Sequence, residues 1–307
     1  MGAGRWTDSD WTTYSTSHIT SKATVDDIYT SRSINKILDP KGVTLRESCD
    51  STDNPESTAI IVALDVTGSM DKVLDSMARE GLKTLASEVY DRKPVSDPHI
   101  MFMGVGDVEC DDAPLQVTQF EADIRIAEQL TKIYLERGGG GNDHESYILP
   151  WYFAAMNTKI DCFEKRGKKG FLFTVGDECP TPYLTSEAIE KFLGEKPQFD
   201  KITAEELLTM VSRQYEVFHI IVEEGSFCSR HKDMVEKQWL DLLGQRAIKL
   251  SDHTKMGEVI ISTLQVLAGE DIDKVVNSWD GSTALVVKNA ISGLSATLAS
   301  SEGLVKF

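Results

Sequence analysis

From residue 59 onward, short apolar runs alternate with longer amphipathic segments, the pattern of parallel strands buried beneath helices. AIIVAL (59–64), IMFMGVG (100–106), FLFTVG (171–176) and VFHIIV (217–222) are nearly continuous in apolar residues, so each predicts a strand covered on both faces. AIKL (247–250) predicts a last strand. LQVTQF (115–120), just past Pro114, predicts a strand that pairs back at an edge. Between the first two runs, Leu74, Ala78, Leu82, Leu85 and Val89 recur at steps of three and four and draw one apolar stripe along a helix that packs on the sheet. Thr203 and Glu206 have the spacing of a capping box opening TAEELLTMVSRQ, and residues 147–156, 233–243 and 255–267 are further helix candidates. This alternation predicts an α/β, doubly wound fold with helices on both faces of a mostly parallel sheet.

The two ends read differently. Residues 1–57 are rich in Ser, Thr and Asp, carry Trp6, Trp11 and Tyr14, and have no sustained period, which predicts an extended N-terminal arm. Such an arm is either a disordered leader or a strap whose aromatic residues dock on the main domain or on a partner. After Gly269 the apolar pattern weakens, so 269–307 reads as a C-terminal appendage, a packed helix or a partner-binding tail, leaving 58–268 as the main domain.

Composition narrows the function. A formal net charge of -17 argues against binding nucleic acid through phosphate neutralisation and favours a metal cation or a basic protein partner. The five cysteines are scattered and form no CxxC, so neither a disulfide scaffold nor a zinc site is expected, and a reducing cytoplasm is. No stretch reaches the roughly 18 apolar residues that cross a bilayer, and the first residues lack the apolar run of a secretory signal. The expectation is a soluble cytoplasmic protein with no membrane contact.

The chemistry concentrates at three strand ends. AIIVALDVTGSM runs a buried strand directly into Asp65, Thr67 and Ser69, where alternate positions of a tight loop aim a carboxylate and two hydroxyls at one point, with Gly68 allowing an unusual backbone conformation. The C-terminal edge of an open α/β sheet is where ligands bind. A set of hard oxygen donors suits Mg²⁺, although Asp65 and Ser69 also fit as helix caps. The loop GGGGNDHES (138–146) adds Asn142, Asp143, Glu145 and Ser146, and no GK[ST] follows to make it a phosphate loop. FLFTVGDECP ends another strand in Asp177 and Glu178, and an adjacent strand would place Asp177 beside Asp65. GDVECDD, with Asp107, Glu109, Asp111 and Asp112, reads as a solvated acidic loop, with an auxiliary cation as the alternative. The basic run EKRGKKG (164–170) belongs at the opposite edge of the sheet. His144 has no second histidine to form a transition-metal site.

With these segments in view, the chain resembles the von Willebrand factor A (vWA) family, whose metal-ion-dependent adhesion site (MIDAS) uses D-x-[ST]-x-S, a middle-loop residue and a later Asp. Asp65, Thr67 and Ser69 match the first element and Asp177 the last. The middle loop departs from the commoner threonine and looks like the glutamate-bearing variant, which points to Glu145, with Asn142, Asp143 and Ser146 as competitors. The resemblance implies a six-stranded sheet with one short antiparallel edge strand over about residues 58–268. It also implies a bound Mg²⁺, replaceable by Mn²⁺, with one position left for a carboxylate from a partner protein. Intracellular bacterial and phage relatives imply a MoxR-type AAA+ ATPase as that partner and a binding module with no enzymatic activity. A virion attachment protein or a metal-assisted hydrolase are the alternatives.

Overall fold

The computed structural model describes residues 4–19, 23–137 and 141–294. Its centre is a six-stranded sheet of β1 (Thr58–Asp65), β2 (Pro98–Val105), β3 (Leu115–Val117), β4 (Gly170–Gly176), β5 (Tyr215–Val222) and β6 (Ala247–Leu250) in the order β6-β5-β4-β1-β2-β3. All neighbours are parallel except β2 and β3, which pair antiparallel through Met103 and Val117. This is the mixed sheet of a vWA-like or Rossmann-like α/β fold, with the short edge strand where LQVTQF predicts it.

Strand geometry explains why the apolar runs are unbroken. Successive side chains point to opposite faces, and both faces are covered. Ile60, Val62 and Leu64 of β1 enter one hydrophobic core with Phe102, Phe173 and Phe218, while Ala59, Ile61 and Ala63 enter a second with Met101, Leu172 and Val217. The helices sort the same way. Leu74, Ala78, Leu82, Leu85 and Val89 line the first core, along a helix of Asp71–Ser76 and Leu82–Arg92 joined by a π-helical turn at Met77–Gly81. Met256–Leu267 packs against it, and a Cβ on Gly257 would lie 2.9 Å from the Gly81 carbonyl oxygen, so that crossing depends on the absent side chain. The second core takes Ile148–Asn157, Ala204–Val211, whose Thr203–Glu206 capping box is formed, and Cys228–Leu243.

The N-terminal segment corrects the reading of an extended arm. Asp8–His18 is a helix, and Thr7 caps it by accepting from the Asp10 amide at 3.2 Å. Trp6, Trp11 and Tyr14 are buried in the first core; the Trp6 indole donates to Ser87 Oγ at 3.2 Å, and the Tyr14 hydroxyl lies 2.8 Å from Thr131 Oγ1. The aromatic side chains gain more by burial than a Ser/Thr-rich segment loses by helix formation, because covering a large ring recovers a few kcal/mol each. Beyond Gly269, helices Ile272–Asn277 and Gly281–Ile291 add Val275, Val287 and Ile291 to the same core, which is the packed-helix reading of that segment; the remainder, 295–307, lies outside the described residues. Among the described residues no helix is long and apolar enough to cross a membrane.

Candidate metal centre

The register of the sheet decides which loops meet. β1 lies between β2 and β4, with Asp65 opposite Val105 and Leu64 opposite Val175, so the turns after β1 and β4 emerge side by side at the C-terminal edge. Asp65, Thr67, Ser69 and Asp177 are thereby drawn into one hydrogen-bonded chain. Asp65 Oδ1 accepts from the Thr67 amide at 2.8 Å and from Thr67 Oγ1 at 2.6 Å. Ser69 Oγ lies 3.4 Å from Thr67 Oγ1 and donates to Asp177 Oδ1 at 2.8 Å. The other oxygen of Asp177 accepts from the Phe227 amide at 2.8 Å. Both hydroxyl protons are thus committed to carboxylates, which leaves the oxygen lone pairs of Thr67 and Ser69 for a cation. Thr67 is buried and Ser69 is half-buried.

Gly68 serves this loop differently from expectation. It is absent from the positive-φ glycines; instead a Cβ there would sit 3.1 Å from the Arg137 carbonyl oxygen, so glycine permits a close approach of the middle-loop backbone. That loop returns to the site through a two-residue strand, His144–Glu145, paired with Cys179–Pro180 just after Asp177 and Glu178. Gly138, Gly139 and Gly140 lie outside the described residues.

The four middle-loop candidates point to different places. Asn142 donates to Asp107 Oδ2 at 2.5 Å and Ser146 Oγ donates to Asp107 Oδ1 at 3.3 Å, so both serve the neighbouring acidic loop. Asp143 is turned outward and pairs with His144 at 3.1 Å. Glu145 is 2% exposed, and its Oε2 has no hydrogen-bond partner. The acidic loop itself is less solvated than its sequence suggests. Asp107 and Asp111 are buried, and Asp111 Oδ2 accepts from the Asp107 amide at 2.7 Å. Asp107, Glu109 and His144 bring ligand atoms within 4.8 Å of one another.

One residue of the cluster carries no signal in the sequence. Tyr147, named only as the start of a helix, is fully buried and its hydroxyl donates to Asp65 Oδ2 at 2.7 Å. A Cβ on Gly176 would lie 1.9 Å from that hydroxyl, so the phenol crosses β4 where only glycine leaves room. Glu178, adjacent to Asp177, has a second buried carboxylate oxygen without a partner.

The electrostatics of this cluster are dominated by buried acidic groups. Asp65, Glu145, Asp177 and Glu178 converge, and none of them is ion-paired with a basic side chain among the described residues. Burial pushes the Asp65 carboxyl up, opposed by the hydroxyl of Thr67 and reinforced by the charge of Asp177. Burial, then the charges of Asp65 and Glu178, raise Glu145 strongly. Glu178 is pushed up to about 8 by burial and then by Asp65 and Asp177. Buried carboxylates with unmade bonds cost several kcal/mol unless paired or bound to metal, so the donor set fits a hard divalent ion.

A pH dependence follows. The unfolded chain releases its Glu protons near pH 4, whereas the metal-free folded protein holds the Glu178 proton to about pH 8. The native state then binds more protons than the unfolded state, and stability falls as pH rises through that window. Buried His219, whose pKa is lowered by desolvation, has the opposite effect only below roughly pH 6.5. In chelator, the melting temperature is expected to drop between about pH 7 and pH 8, and Mg²⁺ is expected to remove most of that drop. A melting temperature that climbs over this interval in chelator contradicts the assignment of strained, metal-seeking carboxylates.

No protein-family model matches the chain, and no curated protein matches it. Among solved structures it is similar to the open conformation of the pilus adhesin SpaC from Lactobacillus rhamnosus GG, with a TM-score of 0.45 and 10% identity over 74% of this chain and 31% of that one. Another form of the same adhesin gives a TM-score of 0.46 and 11% identity over 74% and 32%. The ArnB paralog VWA2 from Sulfolobus acidocaldarius gives a TM-score of 0.29 and 12% identity over 68% and 46%. The chain spans about a third of the length of the adhesin.

Proposed function

We propose that this chain is a divalent-cation-dependent protein-binding module of the vWA type, acting in the cytoplasm and carrying out no chemistry of its own. In this reading Thr67 and Ser69 offer their hydroxyl oxygens to Mg²⁺, or to Mn²⁺ in its place. Asp65, Glu145 and Asp177 supply the negative charge around it, directly or through water. The ion supplies a positive, incompletely filled coordination sphere that an acidic group of a partner protein completes. The chain's own residues hold that sphere open: the carboxylates of Asp65 and Asp177 are occupied by hydroxyl and amide donors, so they neutralise the ion only partly.

The observation that carries this reading is the pair of buried, partnerless carboxylate oxygens on Glu145 and Glu178, in a cluster with no basic partner among the described residues. Its net charge of -17 makes a carboxylate on a partner an unfavourable ligand unless a cation intervenes. A MoxR-type AAA+ ATPase is the partner class we propose, on the strength of the sequence resemblance.

The test is capture of partners by the immobilised chain in Mg²⁺, in chelator, and after Mg²⁺ is restored. Capture is expected to vanish in chelator and return with the ion, with an ATPase among the proteins that follow this pattern. Equal capture in all three conditions removes the proposal.

A further inference from the structure

We infer that Tyr147 is a positioning residue for the ion site, a phenol bridge that ties the loop after β1 to the turn after β4. The inference rests on the metal-dependent reading above and deepens it. The direction of the bridge is fixed by chemistry. The Glu178 amide lies 3.4 Å from the Tyr147 oxygen and can only donate, so the phenol accepts there and gives its own proton to Asp65 Oδ2 at 2.7 Å. Asp65 therefore carries three donors: two from Thr67 on one oxygen and Tyr147 on the other. With both oxygens engaged, the carboxylate is held in one orientation and its charge is partly spent before any ion arrives.

The surroundings give the phenol no alternative position. Tyr147 packs edge-on against His219 and Trp239, with ring centroids 5.0 and 5.6 Å away, and the side-chain-free Gly176 lies against its hydroxyl. Trp239 reaches the same turn from the other side, its indole donating to the Glu178 carbonyl oxygen at 2.9 Å. The backbone of Glu178 is therefore held at its amide by Tyr147 and at its carbonyl by Trp239. Because Tyr147 touches Asp65 and Glu178 at once, loss of its hydroxyl separates two loops whose spacing an octahedral ion requires.

The experiment compares wild type with Tyr147→Phe, which keeps the ring and its packing. Mg²⁺ affinity, read by calorimetry, is expected to fall about 10–100-fold, as for loss of a partner behind a metal ligand. The metal-free melting temperature is expected to fall by a few degrees, because Asp65 Oδ2 and the Glu178 amide each lose a partner, and partner capture is expected to return at saturating Mg²⁺. A near-ultraviolet tyrosine difference spectrum should appear when Mg²⁺ is added to wild type and be absent in Tyr147→Phe; this wild-type signal remains a test if the variant does not fold. Equal Mg²⁺ affinity in the two proteins, or no tyrosine signal in a wild type that binds Mg²⁺, overturns the inference alone. Absence of any Mg²⁺ binding by wild type overturns the site reading beneath it.

Discussion

Replacing Asp65 with alanine is expected to abolish Mg²⁺ binding and partner capture together while leaving the fold in place. Asp65 lies at the centre of the site, accepting from Thr67 and Tyr147 and raising, through its charge, the carboxyls of Glu145 and Glu178. Its loss should exceed the ~10–100-fold penalty that follows removal of an outer partner. Stability should move little, because two opposing effects are of similar size. The Tyr147 and Thr67 donors lose their acceptor, a cost of about 1–3 kcal/mol, while a buried carboxylate without a cation, costly in the metal-free state, is removed. Asp65→Asn separates charge from shape: it retains an acceptor for those donors and is expected to fail equally in Mg²⁺ binding. Circular dichroism and calorimetry on the three proteins decide the matter, and Mg²⁺ binding by Asp65→Ala at wild-type affinity refutes the central role of this residue.

Trp239→Ala is expected to give the largest loss of stability of the substitutions considered, about 3–5 kcal/mol. Its ring is fully buried and stacks on His219 with centroids 3.5 Å apart and planes 6° from parallel, while meeting Tyr147 and Trp151 edge-on. Removing it opens a cavity that surrounding rings cannot fill without leaving their rotamers, and it strands the Glu178 carbonyl, to which the indole donates. In urea the midpoint should fall with the slope preserved, because the surface exposed on unfolding barely changes. The two substitutions are thus expected to separate the layers of the site: Asp65→Ala should remove ion binding and keep the fold, whereas Trp239→Ala should weaken the floor beneath it.

The sheet was legible because parallel strands covered on both faces must be apolar at nearly every position, and the division of β1 between two cores shows that requirement directly. The loop from Asp65 to Ser69 was legible because its three donors are local in sequence. Asp177 required only the inference that β4 neighbours β1. Tyr147 was not legible, because its bond to Asp65 spans 82 residues and depends on β4 presenting a glycine at Gly176. The helix at Asp8–His18 carried one readable signal, Thr7 with acidic residues at Asp8 and Asp10 in the first turn. Its apolar face is only Trp11 and Tyr14, too short a stripe to declare a helical period. Gly68 was assigned a special conformation where it supplies space, a distinction that depends on the distant Arg137 carbonyl.

The measurement that bears most directly on this account is a calorimetric titration of the metal-free wild-type chain with Mg²⁺, repeated with Mn²⁺. Saturable heat from one ion per chain, lost in Asp65→Ala, is the predicted result. A wild-type titration indistinguishable from dilution for both ions would contradict it.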